Sequence, residues 1–261
     1  MGKRCIVIPA LDEADRIGSV IEGIRRHTEA DIVVVDDGSR DRTARRARSA
    51  GALVIRHPFN MGYGVALQTG YKYALKQGYD VLVQMDGDGQ HDPHAIPALF
   101  QEVESGECDV ALGSRFLVQG GYPVDLLKAL GIGFFRGVIR VLTGRTVTDP
   151  TSGYQCLGRR AFEFFSRGHF PWRYPDANVV LLLHRMGFSI KEVPARMMPN
   201  PAGRSMHRGV FTLAYYFIEM FLSLFVTLLR NRDEGLAGNQ VPYRDHSAAS
   251  RDQIRNSKLE T

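Results

Sequence analysis

VLVQMDGDGQHDP, residues 81–93, is a short apolar run that breaks at once into alternating acids and glycines and then into an Asp-Pro pair. Val81–Met85 is near-continuously apolar, as expected of a strand covered on both faces of a parallel sheet. Asp92 and Pro93 stand where an N-cap and a first helical residue belong, and Ile96, Leu99, Phe100 and Val103 follow at helical spacing. The same rhythm extends outward. Cys5–Ile8, Ile32–Val35 and Leu53–Ile55 are strand candidates upstream, and Val110–Leu112 is one downstream. Ile17, Val20, Ile21 and Ile24 supply an i, i+3, i+4, i+7 series between the first two. Alternation of this kind predicts an open α/β sheet. The rhythm stops after Val110, which argues against a closed eightfold barrel.

At 261 residues, 44% hydrophobic and 23% charged, the chain has ample material for one large packed domain. No internal period marks a solenoid or propeller. The net charge of +5 suggests an anionic partner such as phosphate groups or an acidic membrane face. Cys5, Cys108 and Cys156 are odd in number and widely spaced, so buried free thiols are expected rather than a zinc site or a disulfide framework. The four apolar residues after Arg4 are too few for a signal-peptide core, and a cytoplasmic location is expected.

Residues 120–147 read as a basic amphipathic helix, with Leu127, Leu130, Phe134, Val138 and Val141 on one side and Lys128, Arg136 and Arg140 elsewhere. A loop over Thr148–Gly153, helical stretches at Arg160–Phe165 and Asn178–Met186, and a strand at Phe188–Val193 follow. Residues 210–229, VFTLAYYFIEMFLSLFVTLL, are about long enough to span a bilayer. Thr212, Tyr216, Glu219, Ser223 and Thr227 nevertheless form one polar stripe, and Glu219 would be costly against lipid. The expectation is an amphipathic helix lying on a membrane surface or against another subunit. The chain then divides into a catalytic domain over 1–205, this helix within 206–230, and a disordered polar tail over 231–261.

Chemistry concentrates where strands end. Pro9–Glu13, Asp36–Ser39, Asn60–Gly64, Asp86–Asp92 and Gly113–Arg115 each follow a strand candidate, so five loops bring acids, glycines and an arginine to one rim. Ligands of open parallel sheets bind beyond that rim. Asp86, Asp88 and Gln90 are hard oxygen donors at alternate positions, and Gly87 and Gly89 let the backbone bend between them. Such donors suit Mg²⁺ or Mn²⁺ held jointly with substrate phosphates; the competing reading is a solvated acidic turn that caps the next helix. Asp36 and Asp37 suit a ribose or a base N–H, or a helix start shared with Ser39. Arg115 suits a diphosphate, or an ion pair with one of the acids. His91, alone among oxygen donors, reads as a hydrogen-bonding neighbour. A G-x-G-x-x-G after the first strand and a G-x-x-x-x-G-K-[ST] are both missing. The arginines at 40, 42, 45, 46 and 48 lack an aromatic platform, so nucleic acid is not the expected partner.

These motifs together resemble family-2 glycosyltransferases of the GT-A (Rossmann-like) fold. Pro9–Glu13 resembles their P-x-[YL]-N-E opening, residues 36–41 their D-D-G-S-x-D segment, residues 86–93 their D-[AG]-D-x-Q-H-x-P metal loop, and Gly113–Phe116 their G-S-R-[FY] strand end. Asp149–Tyr154 and Lys191–Pro194 resemble the D-x-T-S-G-F loop and E-V-P strand of the dolichyl- and polyprenyl-phosphate branch. The resemblance implies that Pro9, Leu11, Glu13 and Asp36, with Asp37, Gly64 and Gly87, bind the nucleotide-sugar. It implies that Asp86, Asp88 and Gln90 serve a Mg²⁺ or Mn²⁺ ion, that Asp88, Arg115 and Asp149 are catalytic, and that Thr151, Ser152, Arg196 and Arg204 belong to an acceptor or phosphate loop. The pattern departs at Asn200, where the family carries an arginine, and at Asp12, where it carries asparagine.

The implied reaction is sugar transfer from a UDP- or GDP-sugar, with inversion, onto a polyprenyl or dolichyl phosphate at the cytoplasmic membrane face. A phosphate acceptor is already an anionic nucleophile; a hydroxyl acceptor would need a base, for which Asp176 is the candidate. The alternatives are a soluble transferase acting on a sugar hydroxyl or a protein, and a non-catalytic nucleotide-sugar-binding subunit.

Overall fold

The computed structural model describes residues 2–118, 126–171, 175, 177–198 and 222–227. The strands are β1 (Arg4–Ala10), β2 (Asp31–Asp36), β3 (Leu53–Arg56), β4 (Val81–Gln84), β5 (Val110–Ser114), β6 (Gln155–Gly158) and β7 (Ile190–Pro194). The helices are α1 (Ile17–Arg25), α2 (Thr43–Ser49), α3 (Tyr63–Lys76), α4 (Ile96–Glu104), α5 (Leu126–Thr143), α6 (Arg159–Phe164) and α7 (Ala177–Arg185). The strands form one sheet in the order β3-β2-β1-β4-β6-β5-β7. Only β6 runs against its neighbours, pairing antiparallel with both β4 and β5.

Successive residues of each strand serve opposite faces, and both faces are buried. Ile6, Ile8, Ile32, Val34, Val81 and Val83 pack under Ile17, Ile21 and Ile24 of α1 and Ile96, Leu99 and Phe100 of α4. Cys5, Val7, Val33, Val35 and Leu82 pack against Ala66, Leu67 and Tyr71 of α3, Phe162 of α6 and Leu182 of α7. All three cysteines are buried free thiols. α3 packs tightly on the sheet at Gly70, where a β-carbon would lie 2.2 Å from Cγ1 of Val7. Gly70→Ala should therefore force β1 and α3 apart and lower stability by about 1–3 kcal/mol, read as a fall in Tm.

The strand β6 was not anticipated: only Cys156 and Leu157 lie between a polar Gln155 and Gly158, too short a run for a period to show. In α5, Ile132, Phe135 and Ile139 are buried, and Phe135 and Ile139 pack with Val147, Ala177, Val180, Leu181 and Leu224, with Val138 partly buried against them. Leu130, Phe134 and Val141, read from the sequence as one side of an amphipathic helix, are exposed at 63%, 47% and 83%. The helix carries apolar side chains on more than one face, so spacing alone could not choose between them.

Residues 222–227, the described part of the 210–229 segment, are helical, with Leu224 and Thr227 buried and Leu222, Phe225 and Val226 exposed. Among the described residues no helix is long and apolar enough to cross a membrane. Asp176, Asn200, Arg204 and the 231–261 tail lie outside the described residues.

Candidate active site

The strand order reverses direction at β1 and β4, which are neighbours, and the crevice beyond their carboxyl ends is where an open α/β sheet receives its ligand. The loop after β1 is pinned to the loop after β2. Asp12 takes φ 53°, a left-handed conformation that aspartate and asparagine tolerate better than most residues. Its Oδ1 accepts the Arg40 N–H at 2.8 Å, and its own N–H donates to Ser39 Oγ at 3.0 Å. Asparagine could make the same contacts, so the departure from the family pattern costs the loop nothing. Leu11 is exposed beside it, while Pro9 is buried within β1. Glu13 pairs with Arg16 at 2.6 Å; burial raises its carboxyl pKa, the Arg16 bond and charge oppose that, and the charges of Asp88 and Asp41 add to the rise. Asp88 is therefore near enough to Glu13 for its charge to be felt there.

Beyond β2, the two adjacent acids do different work. Asp36 is fully buried; its Oδ1 accepts the Ser39 N–H at 3.0 Å. Its Oδ2 lies 3.0 Å from Arg56 Nε, yet no donor is aligned on it as a hydrogen bond. Asp37, expected to bind the nucleotide, has both oxygens engaged inside the protein. Oδ1 accepts from Met61 N at 2.9 Å and faces His57 Nδ1 at 2.7 Å, and Oδ2 accepts from Gly62 N at 2.8 Å. It anchors the loop that enters α3. Gly38, at φ +78°, lets this loop close, since a β-carbon there would lie 2.5 Å from the Phe59 carbonyl carbon. Gly64 is buried in the first turn of α3.

The loop after β4 holds the metal candidates. The Asp86 N–H donates to His91 Nδ1 at 3.0 Å, and Tyr63 Oη donates to Asp86 Oδ1 at 2.7 Å. Asp88 is turned onto Gln90, accepting its backbone N–H at 3.0 Å and its side-chain amide. Gly87 packs close to β1, its β-carbon position 3.3 Å from Pro9 O. His91 is buried and stacks on Tyr154 with centroids 4.7 Å apart, a hydrogen-bonding neighbour as the sequence suggests. Asp92 caps the turn at Pro93–Ala95 through the His94 N–H, also as expected. Residues 196–198 run alongside this loop, with Asp92 N bonded to Arg196 O and Met198 N to Gln90 O, which sets the exposed Arg196 at its edge.

At the end of β5, Arg115 grips Asp149 with Nε to Oδ2 at 2.6 Å and Nη2 to Oδ1 at 2.9 Å, and Nη2 also reaches Thr151 Oγ1 at 3.0 Å. The ion pair with an acid, one of the roles the sequence left open for Arg115, is thus made with Asp149. Asp149 is completely buried and holds the Arg115 guanidinium in place. Ser152 is buried, its Oγ accepting the Tyr154 N–H at 3.3 Å. Glu192 of β7 organises this loop, accepting from Thr148 N, Thr148 Oγ1 and Asp149 N at 2.7–2.9 Å. Glu192, Tyr63, His57 and Arg56 were not singled out from sequence. Two of them carry a signal in retrospect: Glu192 sits near a strand's carboxyl end, and Tyr63 lies inside a rim loop.

Among the described residues no group of three or more His, Cys, Asp or Glu side chains is gathered as a metal cage. Asp86 and Asp88 offer two hard carboxylates from one loop, which fits Mg²⁺ or Mn²⁺ whose remaining ligands are substrate phosphates and water.

A mostly parallel sheet with one reversed strand before its last pair, and an acidic loop at the switch point, defines a nucleotide-diphospho-sugar transferase of the GT-A architecture. The chain belongs to glycosyl transferase family 2, whose model matches residues 5–163. It is 31% identical over 209 residues to an uncharacterized protein of Methanocaldococcus jannaschii, covering 79% of this chain and 86% of that one. It is 29% identical to the undecaprenyl-phosphate mannosyltransferase of Micrococcus luteus, covering 78% of this chain and 86% of the relative. Among solved structures, it resembles glucosyl-3-phosphoglycerate synthase from Mycobacterium tuberculosis in complex with Mn²⁺, UDP-glucose and phosphoglyceric acid. That match has a TM-score of 0.65 at 20% identity and covers 87% of this chain and 79% of that chain. The chain is thus a family 2 glycosyltransferase whose relatives include transferases of the polyprenyl-phosphate branch.

Proposed function

We propose that this enzyme transfers a sugar, with inversion, from a UDP- or GDP-sugar to a polyprenyl-phosphate-type lipid, using Mg²⁺ or Mn²⁺, at the cytoplasmic face of a membrane. The observation that carries the donor half is the pair Asp86 and Asp88 in the loop after β4, at the switch point of the sheet, with the Asp88 charge felt at Glu13. Asp36, at the end of β2, and Leu11, just after β1, lie at the same rim and are assigned to the nucleoside, with Asp36 paired to Arg56 at 3.0 Å. Asp86 and Asp88 would hold the metal, which supplies Lewis-acid neutralisation of the leaving diphosphate. Arg115, fixed by Asp149 and Thr151, gives the site a preorganised positive charge. A lipid phosphate attacks as an anion, so the acceptor half requires orientation and a positive surround more than a general base. Arg196 stands at the edge of the metal loop in a place to provide that charge, and the catalytic unit is assigned to residues 1–205.

The lipid reading is supported by the name of the Micrococcus luteus relative and by α5. Leu130, Phe134 and Val141 on α5 are exposed, as are Leu222, Phe225 and Val226, and both elements pack on the same core around Leu224. Exposed apolar side chains at this density suit the headgroup boundary of a bilayer, and the exposed Arg140 and Arg145 suit anionic lipid. Leu130→Gln/Phe134→Gln/Val141→Gln should reduce binding to vesicles containing anionic lipid roughly tenfold or more, with nucleotide affinity unchanged. Vesicle flotation alongside a calorimetric nucleotide titration reads both quantities; equal flotation of the two proteins would sink the membrane assignment of α5. The function itself is tested by a donor-hydrolysis screen of UDP- and GDP-sugars with Mn²⁺ or Mg²⁺, with and without a polyprenyl phosphate. Turnover that the lipid phosphate does not stimulate would reject the acceptor.

A further inference from the structure

The two acids of the metal loop are held by different means. Asp88 is turned onto Gln90 of its own loop, so its orientation is a local matter. Asp86 is oriented from outside. Its side chain is 33% exposed, its backbone N–H is fixed by His91 Nδ1, and His91 Nε2 stands 3.7 Å from Oδ2. The donor on Oδ1 is the Tyr63 hydroxyl at 2.7 Å, from the first residue of α3. Tyr63 in turn follows directly on the two backbone N–H groups, of Met61 and Gly62, that the buried Asp37 clamps at 2.9 and 2.8 Å. A third loop closes over this contact. A β-carbon at position 153 would lie 3.2 Å from Tyr63 Oη and 3.7–3.8 Å from the Asp86 carboxylate oxygens. Glycine at 153 therefore leaves room for the phenol and the acid to meet.

We propose that Tyr63 is a positioning residue for metal binding: its hydroxyl takes one oxygen of Asp86 and so presents the other, Oδ2, to the cation. This rests on the metal role assigned to Asp86 above. A carboxylate that donates one lone pair to a metal gains from a neutral hydrogen-bond donor on its other oxygen, which fixes the rotamer before the metal arrives. A phenol suits the place because it is neutral and does not compete with the cation as a lysine ammonium would. Through Asp37 and the loop over residues 60–63, the metal ligand is also tied to the β2 rim, where the nucleoside is proposed to sit.

The test is Mn²⁺ titration followed by electron paramagnetic resonance, on the full chain with saturating UDP or GDP. The proteins are wild type, Tyr63→Phe, Gly153→Ala and the double variant. Tyr63→Phe should bind Mn²⁺ about tenfold more weakly, the loss typical when a partner that orients a ligand is removed. Its metal-free nucleotide affinity should match wild type, and its Tm should fall by no more than about 2–4 °C. Gly153→Ala should weaken Mn²⁺ binding in the wild-type background and add little to Tyr63→Phe, because both act on one contact. Wild-type Mn²⁺ affinity in Tyr63→Phe, or additive losses in the double variant, would overturn the role of Tyr63 while leaving the metal assignment standing. A wild-type protein that binds no Mn²⁺ with either nucleotide would remove the metal reading, and this inference with it.

Discussion

Asp88→Ala is expected to cut metal-dependent sugar transfer roughly 100- to 1,000-fold, the loss that follows removal of one group aimed at developing charge. The fold should be unaffected. Asp88 sits on an open rim and its hydrogen bonds run to Gln90 two residues away, so no core contact is lost and no buried partner is stranded. Turnover should be measured at saturating donor across a series of Mn²⁺ concentrations, with Tm determined on the same samples. If the variant keeps wild-type turnover, the metal is not held by this loop. If it loses turnover and Tm together, the loop is structural and the assignment of Asp88 fails for a different reason.

Arg115→Ala should do the reverse and strike stability first. It would leave the Asp149 carboxylate fully buried with its fork of two charge-assisted contacts gone, the backbone N–H of Arg115 at 3.2 Å being what remains from that side. Stranding one partner of a buried ion pair costs about 3–5 kcal/mol, or roughly 10 °C in Tm for a domain of this size. Arg115→Lys should recover only part of that, since an ammonium cannot reproduce the two parallel bonds of a guanidinium. Thermal unfolding of the two variants and of Asp149→Asn separates these effects. An Arg115→Ala protein as stable as wild type would mean that Arg115 is not Asp149's structural partner in solution.

Why was so much of the rim legible and so little of its wiring? Strand ends announce themselves when an apolar run stops at an acid or a glycine, as Val83–Met85 does before Asp86, and five such breaks gave the loops their common edge. The reading of Asp36, Asp86 and Asp88 needed only those breaks and the chemistry of oxygen donors. Asp37 is chemically identical to Asp36, and nothing local says that its partners are the N–H groups of Met61 and Gly62, 24 and 25 residues on. Tyr63 reaches Asp86 across 23 residues and Glu192 reaches Thr148 across 44. Such contacts follow from how the loops pack, which no periodicity encodes. The buried side of α5 is hidden for a related reason: a helix apolar on several sides lets tertiary packing decide, and Phe135 and Ile139 are what it buries. Arg115 lay between the two cases, since a guanidinium near acids and a phosphate site fits either partner by chemistry alone.

The reversed strand has a bearing on how the protein comes into being. β5 joins β4 through β6 and pairs with β7 on its other side, and both partners come later in the chain. From the end of β5 to the start of β6 is roughly 40 residues, which a ribosome adds in about 2–8 s at 5–20 residues per second. During that interval β1 to β4 can already zip together, since β1 pairs with both β2 and β4 and β3 closes on β2. The nascent protein thus carries a nearly complete nucleotide half with β4 as a raw, unpaired edge and β5 as an apolar strand in waiting, the combination that invites strand addition by a neighbouring chain. The arrival of Gln155–Gly158 seals both at once, so a strand of only four residues is also the step that commits the molecule to its finished form.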